Sequence, residues 1–286
     1  MSGDLLHVEE TLWVWASSTG LATYDFRFDH QFACRRPWRL EEPVVAVARA
    51  GAAEEYAARY EELRAQNVRL IHSPEQYERA SLLPAWYPLL EDLTPRSEWH
   101  DDFPPASEVA HRFGWPVFVK GERQTSRHRA ATSVIRSVAD YERVREAWRH
   151  DPILAWQRIV LREFVPLRPA SPDVPASNSP HSLPASFEFR TFFWRGELVG
   201  FGPYWRGVNY SASDAERAAA VAVAAEAARR VDVPFLVVDV AQAADGRWLV
   251  IECNDGQDSG YAALRPLPLW RRVLDAEAAR GASADV

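Results

Sequence analysis

The chain has 286 residues, of which 47% are hydrophobic, and a formal net charge of -7 with a pI near 5.7. This length and hydrophobic content can support more than one core, so we expect two or three small domains. The acidic balance argues against a protein that holds nucleic acid through phosphate contacts, because only the Arg-rich stretch 122–129 could supply a basic patch.

Cysteine usage and hydropathy limit the compartment. Cys34 and Cys253 are too far apart for a disulfide framework or for the paired spacing of a zinc site. Acidic residues stand near the start, where a signal peptide would be basic and then apolar, and no apolar run reaches the ~20 residues of a membrane span. The sequence therefore predicts a cytoplasmic protein without a membrane segment.

Short apolar runs and one helical pattern alternate over residues 1–100, for which we predict a small α/β domain. The predicted elements are a strand at Val44–Ala48, a helix at Ala52–Gln66, a strand at Val68–Ile71 and a helix that begins at Ser73 and Pro74.

Residues 101–165 predict a central lobe with the order helix, strand, loop, strand, helix, strand. Its elements are a helix at Ala106–Phe113 closed by Gly114, strands at Pro116–Lys120 and Ser133–Arg136, a helix at Ala139–Arg149 and a strand at Ile159–Val165.

Residues 166–286 predict a C-terminal lobe that follows a mobile loop. This loop, from Pro166 to Pro184, is dense in Pro, Ser and Asn and almost without apolar residues. The lobe's predicted elements are a hairpin of Phe187–Trp194 with Glu197–Trp205, a helix capped by Ser213 and Glu216 that runs to Arg230, and a hairpin of Phe235–Ala241 with Arg247–Cys253.

Oxygen ligands interrupt the two apolar strands of the last hairpin. Glu252 and Asn254 are two residues apart and so share one face of their strand, and pairing across the hairpin can bring Asp239 to that face. Such a group suits Mg2+, which completes its shell with phosphates and water. Strand-end polar residues that meet solvent are the alternative, and the apolar setting favours the metal.

Lys120 is the only lysine in the chain, and it ends an apolar strand before a loop of hydroxyl and basic side chains. A compact ammonium at this position can hold a phosphate chain where a planar guanidinium would not serve. An exposed polar hairpin with a lysine retained by chance is the alternative. Glu188 and Arg190 also share one strand face, a pattern equally typical of a surface ion pair.

Taken in order, these residues resemble the ATP-grasp superfamily over about residues 94–264. The closest resemblance is to a poorly characterised bacterial and phage branch. The segments that carry the resemblance are Pro116–Lys120, Arg162–Val165, Glu188–Arg190, Pro203–Trp205, Asp239 and Glu252–Gly260. The resemblance implies an α/β (α+β) fold in which two α+β lobes clasp ATP behind a small N-terminal domain.

The resemblance also implies a role for each matching residue. Lys120 would contact the ATP phosphates, Glu188 would bind ribose, and Arg190 would reach the phosphates or an acyl-phosphate. Adenine would lie against the hinge Arg162, Glu163, Phe164 and Val165, while Asp239, Glu252 and Asn254 would hold Mg2+. The acceptor would meet Asp255, Gln257, Asp258, Ser259 and Gly260, with Trp205 beside it.

The implied chemistry is carboxylate activation by ATP followed by attack of an amine, on an amino acid or peptide. Two departures from the family pattern bear on it. The phosphate loop contains Ser126, Arg127 and His128 instead of glycines, and no second lysine precedes the central lobe, so Arg79 or Arg96 would have to substitute. An ATP-binding protein without turnover, or a phosphotransferase or nucleotidyl transferase acting on nucleic acid, is the alternative.

Overall fold

The computed structural model describes residues 43–49, 55–123, 130–171 and 183–284. The strands are β1 (Val44–Ala46), β2 (Val68–Leu70), β3 (Ser97–His100), β4 (Val117–Gly121), β5 (Val134–Ile135), β6 (Ile159–Glu163), β7 (Glu188–Trp194), β8 (Glu197–Pro203), β9 (Phe235–Gln242) and β10 (Trp248–Asp255). The helices are α1 (Tyr56–Arg64), α2 (Pro74–Ser81), α3 (Leu83–Leu90), α4 (Ala106–Phe113), α5 (Ala130–Ser133), α6 (Val138–Arg149), α7 (Asp214–Val231) and α8 (Pro266–Ala284).

The N-terminal unit is a parallel pair of short strands joined by helix α1. Strand β1 pairs with β2, and the strands, α1 and α2 share a small apolar core. Helix α2 begins as its sequence predicts, because Ser73 caps it and Gln76 completes the capping box, with Pro74 in the first turn. The first residues of the predicted helix Ala52–Gln66 lie outside the described residues.

The central sheet is antiparallel and has the strand order β3-β6-β4-β5. Helices α4 and α6 cover it, and its core includes Val117, Val119, Tyr141 and Trp148. Helix α4 spans the predicted residues and ends at Gly114, whose φ of 70° few other residues adopt. Strand β3 was not predicted, because its residues are mostly polar and half-buried.

The large sheet is also antiparallel and has the strand order β10-β9-β7-β8. Both predicted hairpins are confirmed, and so is the capping box before α7, formed by Ser213 and Glu216. Helix α7 packs alanines against one face of the sheet, whereas α8 places Trp270 against the other. That second face is apolar at one end and charged at the other.

The proposed boundaries near residues 100 and 165 stay a prediction, although the central sheet already includes Ser97. Residues 172–182 of the predicted mobile loop lie outside the described residues. Its flanks form isolated bridges to the large sheet, Leu167 with Ala243 and Pro169 with Ser186. No helix in the described part of the chain is long and apolar enough to cross a membrane.

Candidate functional site

A row of charged side chains crosses three adjacent strands of the large sheet. Arg190 on β7 is opposite Asp239 on β9, and Asp239 is opposite Glu252 on β10. Strand alternation places all three on the face that carries Phe192 and Val237 in the core. The three are only 8%, 1% and 5% exposed, so the row is a dry electrostatic site.

Arg190 has every nitrogen of its guanidinium engaged. Its Nε and Nη2 donate to the two carboxylate oxygens of Asp239 at 2.8 and 2.7 Å, and its Nη1 donates to the Gly260 carbonyl at 2.7 Å. Burial opposes the charge of Arg190, but the adjacent Asp239 carboxylate outweighs burial and raises the pKa of Arg190. The guanidinium therefore stays charged, with a direction fixed by a bidentate pair.

Lys120 joins the two larger sheets. It lies on β4 of the central sheet, is 4% exposed, and donates a hydrogen bond to Glu252 of the large sheet. Burial lowers the pKa of Lys120, an effect that Glu252 opposes and the nearby Arg162 reinforces. The only lysine of the chain thus meets one of the predicted metal ligands.

Arg162, a predicted member of the adenine hinge, makes a second link between the sheets. Its guanidinium donates to the carbonyls of Ile251 at 2.7 Å and Val250 at 3.2 Å, and also bonds Thr94. The β10 register shifts between Val250 and Glu252, next to these carbonyls. Burial lowers the pKa of Arg162 to about 10.

The other predicted hinge residues follow the same strand. Glu163 ends β6 with its side chain exposed, and its N–H donates to the Arg96 carbonyl at 2.8 Å. Phe164 and Val165 are half-buried. Arg96, a suggested substitute for the missing lysine, has its guanidinium 4.4 Å from the Phe113 ring centre, and Arg79 is exposed on α2; their roles remain predictions.

Glu188 ends a short chain of hydrogen bonds. The Trp205 Nε1–H donates to Ser186 Oγ at 3.1 Å, and the Ser186 hydroxyl donates to Glu188 Oε2 at 2.7 Å. Burial, and then repulsion from Asp239, raise the pKa of Glu188 to about 8. Near neutral pH this carboxyl is largely protonated, so it can both donate and accept a hydrogen bond.

The three predicted metal ligands lie on one face, as expected. Asn254 is opposite Val237, two positions along β9 from Asp239, and its buried Nδ2 has no hydrogen-bond partner within the described residues. No group of three or more His, Cys, Asp or Glu side chains in the described ranges could hold a metal by itself. Two carboxylates and an amide oxygen nevertheless fit a Mg2+ that takes its remaining ligands from phosphates and water.

The predicted acceptor loop is largely occupied with contacts inside the protein. Asp255 accepts hydrogen bonds from the backbone and side chain of Gln257, at 2.8 and 2.9 Å. Gln257 Oε1 accepts from the Ala48 N–H at 3.0 Å, and the Ser259 hydroxyl donates to the Asp255 carbonyl at 2.8 Å. Of the loop's predicted substrate residues, Asp258 and Gly260 are the two that are only half-buried.

The N-terminal unit supplies partners of this loop that the sequence did not indicate. Tyr77 donates to Asp258 at 2.8 Å, and Arg49 donates to backbone carbonyls of the loop. His72 Nε2 accepts from the Phe235 N–H at 2.9 Å, which assigns the proton to Nδ1, 3.1 Å from an Asp255 carboxylate oxygen. Arg49 and His72 each closely follow a short apolar strand, as Lys120 follows β4, so the same signal could have identified them.

Ser126, Arg127 and His128, the predicted phosphate loop, lie outside the described residues. Their contribution to nucleotide binding stays a prediction. Arg123, at the start of that loop, has its guanidinium carbon 5.7 Å from the Tyr77 ring centre and 5.8 Å from that of Trp156. The root of the loop therefore lies beside the N-terminal unit.

Two antiparallel lobes joined by buried lysine, arginine and carboxylate contacts define an ATP-grasp fold. A RimK domain ATP-grasp protein from Sphaerobacter thermophilus superposes with a TM-score of 0.56 at 15% identity, covering 80% of this chain and 79% of that one. ATP-grasp ligase PsnB, solved with minimal precursor, Mg and ADP, gives 0.51 at 14% identity, covering 82% and 78%.

N5-carboxyaminoimidazole synthase from Aspergillus clavatus, solved with ADP and 5-aminoimidazole ribonucleotide, gives a TM-score of 0.55 at 13% identity, covering 82% of this chain and 60% of that one. No curated protein matches this chain. Residues 94–273, more than half of the chain, match an ATP-grasp domain family, the third family of its clade. The chain belongs to that family, which confirms the resemblance and the fold class drawn from the sequence.

Proposed function

We propose that the protein is an ATP- and Mg2+-dependent carboxylate–amine ligase. The observation that carries this proposal is the buried set of opposite charges at the junction of the two larger sheets, where Lys120 meets Glu252 beside the Arg190–Asp239 pair. Phosphoryl transfer needs charge neutralisation and positioning more than covalent help from the protein. Preorganised charges in a dry site supply both.

In this proposal the reaction has two steps. A substrate carboxylate oxygen attacks the γ-phosphorus of ATP, and ADP leaves, so that an acyl-phosphate forms. The amine nitrogen then attacks the acyl carbon, phosphate leaves, and the amine gives up a proton as the C–N bond forms. Lys120 and Arg190 stabilise the phosphate charge in both steps.

Residues around this pair bind the nucleotide and metal in the proposal. Asp239, Glu252 and Asn254 hold Mg2+, which bridges the phosphates when bound. The raised pKa of Glu188 suits a carboxyl that hydrogen-bonds ribose hydroxyls. In the absence of ligand, Lys120 and Arg190 occupy the carboxylates that the metal would take, so nucleotide binding exchanges one set of ion pairs for another.

We place the substrate among amino acids and peptides, with an amine as acceptor and the cytoplasm as compartment. Support comes from PsnB, a ligase of the same fold solved with its minimal precursor. The acidic balance of the chain disfavours nucleic acid as a substrate.

Thermal unfolding with and without ATP and Mg2+ tests the nucleotide site. A ligand at ~100 times its dissociation constant stabilises by about 2.7 kcal/mol, and we expect this shift in wild type and a much smaller one in Lys120→Met. Arg64→Met, which removes an exposed ion pair with Glu61, is the matched control and should respond like wild type. A wild-type protein that does not respond to Mg-ATP would contradict the proposal.

Product analysis then separates the ligase from a protein that binds ATP without turnover. Pools of amino acids and short peptides should release ADP only when an acid and an amine are both present. A nucleotide-dependent shift without ADP release from any pool would favour the binding protein instead.

A further inference from the structure

The loop that follows β10, residues 256–261, lies between two buried arginines from distant parts of the chain. Arg49, at the end of the N-terminal β1 segment, is 1% exposed and contacts one side of it. Arg190 binds the Gly260 carbonyl from the other side at 2.7 Å. The loop therefore connects the N-terminal unit physically to the charged row of the large sheet.

Arg49 fixes the backbone of this loop at several points. Its Nη1 bonds the carbonyls of Gly256 and, at 3.0 Å, Gln257, and its Nη2 bonds the Ser259 carbonyl at 2.7 Å. The guanidinium carbon also lies 4.6 Å from the centre of the Tyr261 ring. A rigid planar fork can satisfy several carbonyls at once, which a single ammonium on a flexible stem cannot do.

The carbonyl held by Arg190 lies between residues that Arg49 fixes. Gly260 stands between Ser259, whose carbonyl Arg49 binds, and Tyr261, whose ring Arg49 covers. The direction of the Gly260 carbonyl is consequently set from both sides. That carbonyl is the third anchor of Arg190, whose other nitrogens bind Asp239.

We propose that Arg49 is a positioning residue for Arg190. By fixing the 256–261 loop, it aims the Gly260 carbonyl so that the Arg190 guanidinium holds one orientation against Asp239. The N-terminal unit thereby contributes to the reaction centre without contacting it. The effect of Arg49 on turnover rests on the proposed function, but its effect on Arg190 does not.

Arginine Nε–H NMR signals test the proposal without nucleotide. The Arg190 signal is assigned by its loss in Arg190→Lys, and in wild type it should exchange slowly with solvent because its proton is given to a buried carboxylate. In Arg49→Lys we expect this signal to shift and its exchange to accelerate at least ~10-fold. An unchanged Arg190 signal in a folded Arg49→Lys protein would overturn the proposal.

A control separates positioning from general loss of stability. Val109→Ala removes buried methyl groups from α4 in the central lobe, far from the loop, and should lower stability while leaving the Arg190 signal as in wild type. Equal acceleration in this control would also overturn the proposal. If Arg49→Lys does not fold, Tyr261→Leu, which removes the ring beside the guanidinium, should change the Arg190 signal in the same direction.

Where the ligase activity holds, steady-state kinetics gives a second readout. Arg49→Lys should lower kcat for ADP release ~10-fold or more and change KM for ATP less than ~2-fold, because the nucleotide contacts of Lys120 and Glu188 are untouched. A protein without ligase activity would fail this assay in wild type already, whereas failure of the positioning idea appears only in the variant.

Discussion

Replacing Glu188 with Gln should change how the stability of the protein depends on pH. The Glu188 carboxyl is 6% exposed, and burial together with Asp239 raises its pKa from 4.5 to about 8. Between these values the folded protein keeps a proton that the unfolded chain has lost. The free energy of unfolding must therefore fall as pH rises through this window.

The size of the effect follows from the same two values. The slope approaches about 1.4 kcal/mol per pH unit well inside the window and disappears below pH ~4 and above pH ~9. From pH 5.5 to 7.5 the Glu188 carboxyl should cost the wild-type protein roughly 2 kcal/mol. Glu188→Gln keeps the shape and a hydrogen-bond acceptor for Ser186 but cannot titrate, so it should not show this loss.

Urea unfolding of both proteins at several pH values between 5 and 8 measures the difference. Other titrating groups affect both proteins alike, so the gap between their free energies of unfolding isolates Glu188. We expect the variant to gain on wild type steadily as pH rises. Parallel curves would refute the reasoning, because they would mean that Glu188 titrates alike in the folded and unfolded states.

Three further outcomes are expected. Lys120→Met should lower the free energy of unfolding by about 3 kcal/mol by leaving Glu252 buried and unpaired, and adding Glu252→Met should restore more than half in urea unfolding; additive losses would contradict a direct pair. Gly256→Ala should cost ~2 kcal/mol or more in Tm-based stability because its Cβ would overlap the Phe235 ring, and Phe235→Leu should recover part of that loss. Removal of Mg2+ with EDTA should abolish most of the ATP-induced rise in Tm, and a full rise without metal would argue against the metal site.

Elements with a strong local signal could be predicted from the sequence. The hairpins of the large sheet alternate long apolar runs with clear turns, and both helices with predicted capping residues begin where expected. Helix α3 escaped prediction because Pro84 and Pro88 interrupt its pattern, yet it packs Trp86 and Leu90 into the largest core. Tertiary burial outweighed local propensity there.

The site was predictable where single residues stood out from their surroundings. Lys120 and Asp239 were conspicuous as charges in apolar strands, and the structure brings both to the same junction. The partners of Asp255 and Gln257 were not predictable, because they come from residues about 200 positions earlier. Polar loop residues can face a ligand or another part of the chain, and only tertiary structure distinguishes the two.

The contacts of Arg49 have a consequence for the order of events during synthesis. Its carbonyl partners follow it by 207 to 210 residues. At ~5 to 20 residues per second, a ribosome adds that length in roughly 10 to 40 s. Throughout that interval the nascent N-terminal unit carries a guanidinium whose final binding partners do not yet exist. Maturation of this unit is thus timed by the emergence of the loop after β10.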